Sequence, residues 1–168
     1  MASPNPRSAG GDGPEAHRTV GTSSDPPPLE LKTSARPSSV TETRRRVAEY
    51  AGSSGANRDD VELAVAEAVG NAVVHAFEGR DDGVITVRAE IDGPDYLVVE
   101  IADTGFGITT IARDPRAGFG LPIIGALADS VEIQSGHDGT RLVLRFPRAG
   151  ICQLRPLTTT LRALPPPE

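Results

Sequence analysis

The chain has 168 residues and a net charge of −6, with 15 prolines, 18 glycines, one cysteine and no tryptophan. One domain with tails fits that length, and a single cysteine rules out an internal disulfide and fits a reducing compartment. The acidic balance argues against duplex DNA as a partner, since the phosphate backbone selects basic faces.

The N-terminus, Met1 to Gly10, holds no apolar run and reads as no secretory signal. Nowhere do about 18 apolar residues follow one another, so no transmembrane helix is expected. A cytoplasmic protein that touches neither membrane nor nucleic acid is the expectation. Residues 1–28 are rich in Gly, Pro, Ser and Asp and end in Pro26-Pro27-Pro28. Such a segment buries too little apolar area to offset its ordering entropy and is expected to be disordered.

A domain is expected over residues 29–147. Leu29 to Thr33 alternates apolar and polar residues as a half-buried strand does. Ser38 to about Ala51 follows Pro37 and reads as a helix, stopped by Gly52-Ser53-Ser54-Gly55. Asn57 can cap a second helix, with Asp59 and Asp60 at its positive end. That helix is expected to run to about Phe77. Val84 to Ile91 and Tyr96 to Ala102 are strands around the hairpin Asp92-Gly93-Pro94-Asp95. Leu121 to Ala128 reads as a helix, and Val131 to Ser135 and Thr140 to Phe146 as a second hairpin. Residues 148–168 form a Pro-rich tail whose leucines offer a means of docking. Hairpins beside helices indicate α+β, a mostly antiparallel sheet with helices on one face.

The second helix is apolar almost all round, which marks a buried helix. Glu67, Asn71 and His75 interrupt it at a spacing of four and so share one line. A buried carboxylate costs several kcal/mol unless paired. The row fits either a site facing it or a narrow solvent-facing stripe. In the first case Asn71 offers an amide oxygen to Mg²⁺, a hard ion that draws its other ligands from phosphates and water. Glu67, one turn away, can take a proton from a hydroxyl. Gly70 costs a helix about 1 kcal/mol relative to alanine, which hints at close packing there.

The strand ending at Ala102 runs into Asp103-Thr104-Gly105-Phe106-Gly107. Alternate glycines let the backbone approach a ligand, and a carboxylate there can accept a hydrogen bond from an exocyclic amino group such as that of adenine. An ordinary Asp-rich turn has the same pattern. Arg116-Ala117-Gly118-Phe119-Gly120-Leu121 then opens a helix. Free N–H groups at such a start and a guanidinium beside them suit phosphate. Neither a P-loop nor a Rossmann fingerprint is present.

Taken in order, Glu67-x-x-x-Asn71-Ala72, Asp103-x-Gly105-x-Gly107, Gly118-x-Gly120-Leu121 and Gly139-Thr140 resemble the motifs of the GHKL ATPases. Within that superfamily the chain resembles the anti-sigma-factor serine/threonine kinases. Ala66 to Phe77, the first strand and Arg116 before the second glycine stretch carry that likeness, which spans about Leu29 to Phe146. The resemblance implies a Bergerat-type two-layer ATP fold. It implies Glu67 as catalytic base and Asn71 as the Mg²⁺ ligand. It also implies Asp103 on adenine with Gly105 and Gly107 shaping the pocket, Arg116, Gly118 and Gly120 at the phosphates, Leu121 in the nucleotide site, and Thr140 near the adenine. ATP and Mg²⁺ are the implied cofactors. The implied substrate is a serine or threonine of a STAS-type anti-anti-sigma protein, the implied partner a sigma factor, and a homodimer the implied assembly. Thr109 to Pro115 make a short lid, so a module that binds ATP and sequesters a partner without kinase activity is the alternative. A base contributes about 10²–10⁴-fold to such a reaction, so Glu67 permits kinase chemistry without guaranteeing it.

Overall fold

The computed structural model describes residues 25–76, 83–105, 120–149 and 158–163. In chain order these form β1 (Leu29–Ser34), α1 (Pro37–Ser54), α2 (Arg58–Asn71), a π-helical turn (Ala72–Ala76), β2 (Val84–Asp92), β3 (Tyr96–Asp103), α3 (Gly120–Leu127), β4 (Ser130–Gly136), β5 (Gly139–Pro147) and β6 (Thr158–Ala163).

Local chemistry sets the helix boundaries. Pro37 opens α1, where its missing N–H costs nothing. The expected stop over residues 52–55 narrows to Gly55, which takes the left-handed conformation at φ 83° and donates its N–H to the Ala51 carbonyl. Asn57 caps α2 as expected, its side-chain oxygen accepting the N–H groups of Asp59 and Asp60 at 3.0 and 3.3 Å. The helical run expected to about Phe77 continues to Ala76 but changes type on the way: the α-helix ends at Asn71, and a π turn follows. Such a turn widens the helix and often lies at functional sites. The four-residue spacing that stacks Glu67 and Asn71 therefore does not carry on to His75.

The six strands stand in the order β1-β2-β3-β5-β4-β6. All neighbours are antiparallel except β4 and β6, which pair in parallel. The sheet thus does not stop at Pro147, because six residues of the expected tail add a strand beyond β4. Alternation sends Ile85, Val87, Ala89, Leu97, Val99, Ile101, Leu142, Leu144 and Phe146 to one face, all buried. Val47 and Ala51 of α1, Val61, Val65 and Val69 of α2 and Ile124 of α3 complete the same core, with α2 packed between α1 and α3. Each fully buried Val, Leu, Ile or Phe contributes roughly 1.5–3 kcal/mol. The expected two layers, a mostly antiparallel mixed sheet with helices on one face, are the observed architecture.

The opposite face carries charge. Arg88 meets Glu90 at 2.8 Å and Glu30 at 3.8 Å, Arg141 meets Glu100 at 2.6 Å, and Arg145 meets Asp92 at 2.7 Å. Exposed pairs like these add little stability each but keep the sheet face wet.

Candidate functional site

The strand register sets the polar end of the core. In β3 the odd-numbered residues face the helices, so Asp103 continues the inward series Leu97, Val99, Ile101. Its partner across the β3–β5 ladder is Thr140, which continues the inward series of Phe146, Leu144 and Leu142. A carboxylate and a hydroxyl therefore stand at core positions at one end of the sheet, beneath the helical layer.

Asp103 is held there by the backbone. One oxygen, Oδ1, accepts the N–H of Gly105 at 2.9 Å and the N–H of Thr140 at 3.3 Å. The Thr140 hydroxyl bonds the same carboxylate. Burial nevertheless pushes its pKa above the ordinary aspartate value, and these three hydrogen bonds oppose the shift without cancelling it. A carboxylate has about four acceptor positions, so this cradle orients Asp103 and leaves capacity for a ligand's amino group.

Two glycines make the cradle close. Gly105 is buried where the chain leaves β3. Gly139 has φ 129°, and a Cβ built on it would collide with the carbonyl oxygen of Asp103. Gly139 belongs to the quoted motif, but no role was expected of it. A glycine opening a strand just before Thr140, the partner of Asp103, was the signal, and only the register shows what it touches.

Glu67 and Asn71 lie one turn apart in the last turns of α2 and are both half-buried, while the residues facing the sheet, Val61, Val65, Ala68 and Val69, are buried. The pair thus sits beside the core stripe. The close packing expected at Gly70 is absent among the described residues: a Cβ there would meet nothing within 4 Å. Gly120 opens α3, and Leu121, expected in the nucleotide site, packs half-buried against the hydrophobic core. Gly107, Arg116 and Gly118 lie outside the described residues.

This combination of fold and site defines a class. The sequence profile of the histidine kinase-like ATPase domain matches residues 33–146, and the chain belongs to that family, which implies ATP binding. Among curated proteins it is similar to the anti-sigma F factor of Clostridium acetobutylicum, 31% identical over 132 residues that cover 70% of this chain and 91% of that protein. It is similar as well to the anti-sigma F factor of Clostridium beijerinckii, 34% identical over 99 residues covering 52% and 68% of the two chains. Among solved structures it is similar to the RsbU and RsbW domains of a Mycobacterium tuberculosis protein, with a TM-score of 0.59 and 26% identity over 73% of this chain and 33% of that one. The likeness to anti-sigma-factor kinases drawn from the motifs is borne out by these relatives. Among the described residues, no helix is long and apolar enough to cross a membrane.

Proposed function

We propose that this chain is an anti-sigma-factor-type protein kinase that binds ATP with Mg²⁺ and phosphorylates a serine or threonine of a STAS-type antagonist, switching its hold on a sigma factor. The observation that carries the nucleotide part is the inward-facing Asp103 carboxylate, cradled by Gly105 and Thr140. Asp103 accepts the adenine amino group there. Gly105 and Gly107 shape the pocket, Arg116, Gly118 and Gly120 serve the phosphates, Leu121 belongs to the nucleotide site, and Thr140 flanks the base.

The donor set fits magnesium. Among the described residues no three His, Cys, Asp or Glu side chains gather into a metal cluster. A divalent ion at Asn71 must therefore draw most of its oxygen ligands from phosphates and water, as Mg²⁺ does. When bound, ATP·Mg²⁺ supplies the phosphoryl group and neutralises its charge. Glu67, one turn from Asn71, orients the attacking hydroxyl and takes its proton. Positioning and charge stabilisation dominate phosphoryl transfer, and the base adds about 10²–10⁴-fold.

The names of the relatives support the sigma factor as partner, and the same surface then serves antagonist and sigma factor in turn, with the chain as a homodimer. The test is transfer of labelled phosphate from ATP·Mg²⁺ to candidate antagonists, wild type against Glu67→Ala. Transfer by wild type alone is the expected result. ATP binding without transfer by either protein would replace the kinase with a nucleotide-gated sequestering module.

A further inference from the structure

The strand β6 lies outside the stretch matched by the family profile, which ends at residue 146. It is nevertheless a full member of the sheet, pairing with β4 from Ser130↔Thr158 to Ser135↔Ala163. Its register connects it to the candidate site. Ala163 stands opposite Ser135, Ser135 opposite Thr140, and Thr140 opposite Asp103. These four residues form one row across the sheet, so Ala163 is two strand steps, about 10 Å, from Thr140.

At the end of the sheet that this row crosses, the core covers less of β4. In β4 the core grips Val131 and Ile133, whereas Gln134, Ser135 and Gly136 are only half-buried. The turn beyond them is flanked by glycines, Gly136 and Gly139. Glycine-rich strand ends specify their pairing poorly. Yet this hairpin carries two of the groups that set Asp103, the Thr140 N–H on its carboxylate and the Gly139 backbone against its carbonyl, beside the N–H of Gly105. Without β6, the end of β4 would be an open edge with one neighbour.

We propose that β6 is a brace that holds the β4–β5 hairpin in the position that sets Asp103 and Thr140 and so couples C-terminal strand docking to nucleotide affinity. The proposal rests on the reading that Asp103 and Thr140 hold the adenine. Coupling is reciprocal: if β6 pairing tightens nucleotide binding, bound nucleotide tightens β6 pairing by the same factor. Any partner that draws β6 off the β4 edge would then release nucleotide.

Two measurements on the full chain test this. The first is hydrogen exchange of wild type with and without ADP. Bound nucleotide is expected to slow exchange in residues 130–136 and 158–163 about five-fold or more. The second is nucleotide titration of the double variant Thr160→Pro, Leu161→Pro. Successive N–H groups of a strand point to opposite sides, so the pair removes whichever one donates to β4. With β6 exchange at the unprotected rate, ADP dissociation is expected to rise about five-fold or more. A released β6 with unchanged ADP affinity, or wild-type β6 protection indifferent to ADP, overturns the brace. Wild type that binds neither ATP nor ADP overturns the nucleotide reading itself, a distinct result. Should the variant not fold, the wild-type exchange comparison still decides.

Discussion

The backbone N–H of Thr140 reaches Oδ1 of Asp103 at 3.3 Å across the β3–β5 ladder, at an end of the sheet where both side chains point into the helical layer. The carboxylate form of Asp103 is thereby favoured by hydrogen bonds yet penalised by burial. Because burial raises its folded-state pKa above the ordinary aspartate value, its relative stabilisation of the fold is complete below the ordinary range and is lost as pH rises through the raised pKa. Where Asp103 takes the adenine amino group, as proposed, nucleotide affinity runs the other way, since that acceptor role needs the carboxylate. Affinity is expected to fall as pH drops through that raised pKa, at higher pH than an exposed aspartate would give. Asp103→Asn keeps an acceptor oxygen and removes the charge. Its Tm at neutral pH should equal or exceed that of wild type, while ATP affinity drops about 10–100-fold. Calorimetric titration and thermal melts across pH 4–8 check both signs.

Gly139 and Gly70 give opposite outcomes for the same substitution. Gly139→Ala adds a Cβ against the Asp103 carbonyl at φ 129°, with only backbone to move. A loss of at least about 2 kcal/mol is expected, together with weaker nucleotide binding as Asp103 shifts. Gly70→Ala meets nothing among the described residues and should gain about 0.5–1 kcal/mol of helix stability in the unliganded protein. Urea unfolding of the two variants separates them.

These contrasts mark how much was legible beforehand. Strand periods and the Asn57 cap gave the α+β arrangement, because period and capping are local chemistry, while the likeness of the ordered motifs to a known family gave the roles of Asp103, Thr140, Glu67 and Asn71. The inward parity of Asp103 was also readable, since it continues Leu97, Val99 and Ile101. What Gly139 touches was not: that contact joins residues on different strands and depends on register. Likewise the change of helix type within the run to Ala76 was not readable, because an apolar run cannot tell an α turn from the π turn at Ala72. Pro-rich flanks hid β6, whose pairing with β4 is wholly long-range.

At the far end of the sheet Arg148 fastens three segments and is only 14% exposed. It donates Nε to the Ser54 carbonyl at 2.6 Å, one terminal nitrogen to the carbonyls of Gly93 and Pro94 at 3.4 Å, and the other to Asp25 at 2.6 Å. The C-terminal turn of α1, the β2–β3 hairpin and the residues before β1 all depend on it. Arg148→Ala should cost about 2–3 kcal/mol by leaving these acceptors without their donor. Arg148→Lys should recover only part, because an ammonium cannot span the fork. Nucleotide affinity should stay within about two-fold of wild type, because Tyr96 and Pro147 mark this end of the β3–β5 ladder and Asp103 and Thr140 the other. Denaturant midpoints paired with ADP titrations test the separation.

Asn71 closes α2 at the point where the helix widens into the π turn, one turn from Glu67 and beside the open space over Gly70. An amide oxygen there is a weak ligand alone, so its contribution should appear only when phosphates supply the rest of the shell. Asn71→Ala should leave ADP affinity in chelator within about two-fold of wild type, and cut the gain on adding Mg²⁺ by about ten-fold or more. Asn71→Asp, with a charged oxygen in the same place, should restore magnesium dependence while weakening binding in its absence through repulsion of the phosphates. The measurement is a titration of ADP into each protein at several Mg²⁺ concentrations. An unchanged magnesium response in Asn71→Ala would move the ion to other ligands and leave Glu67 without its neighbour in the reaction.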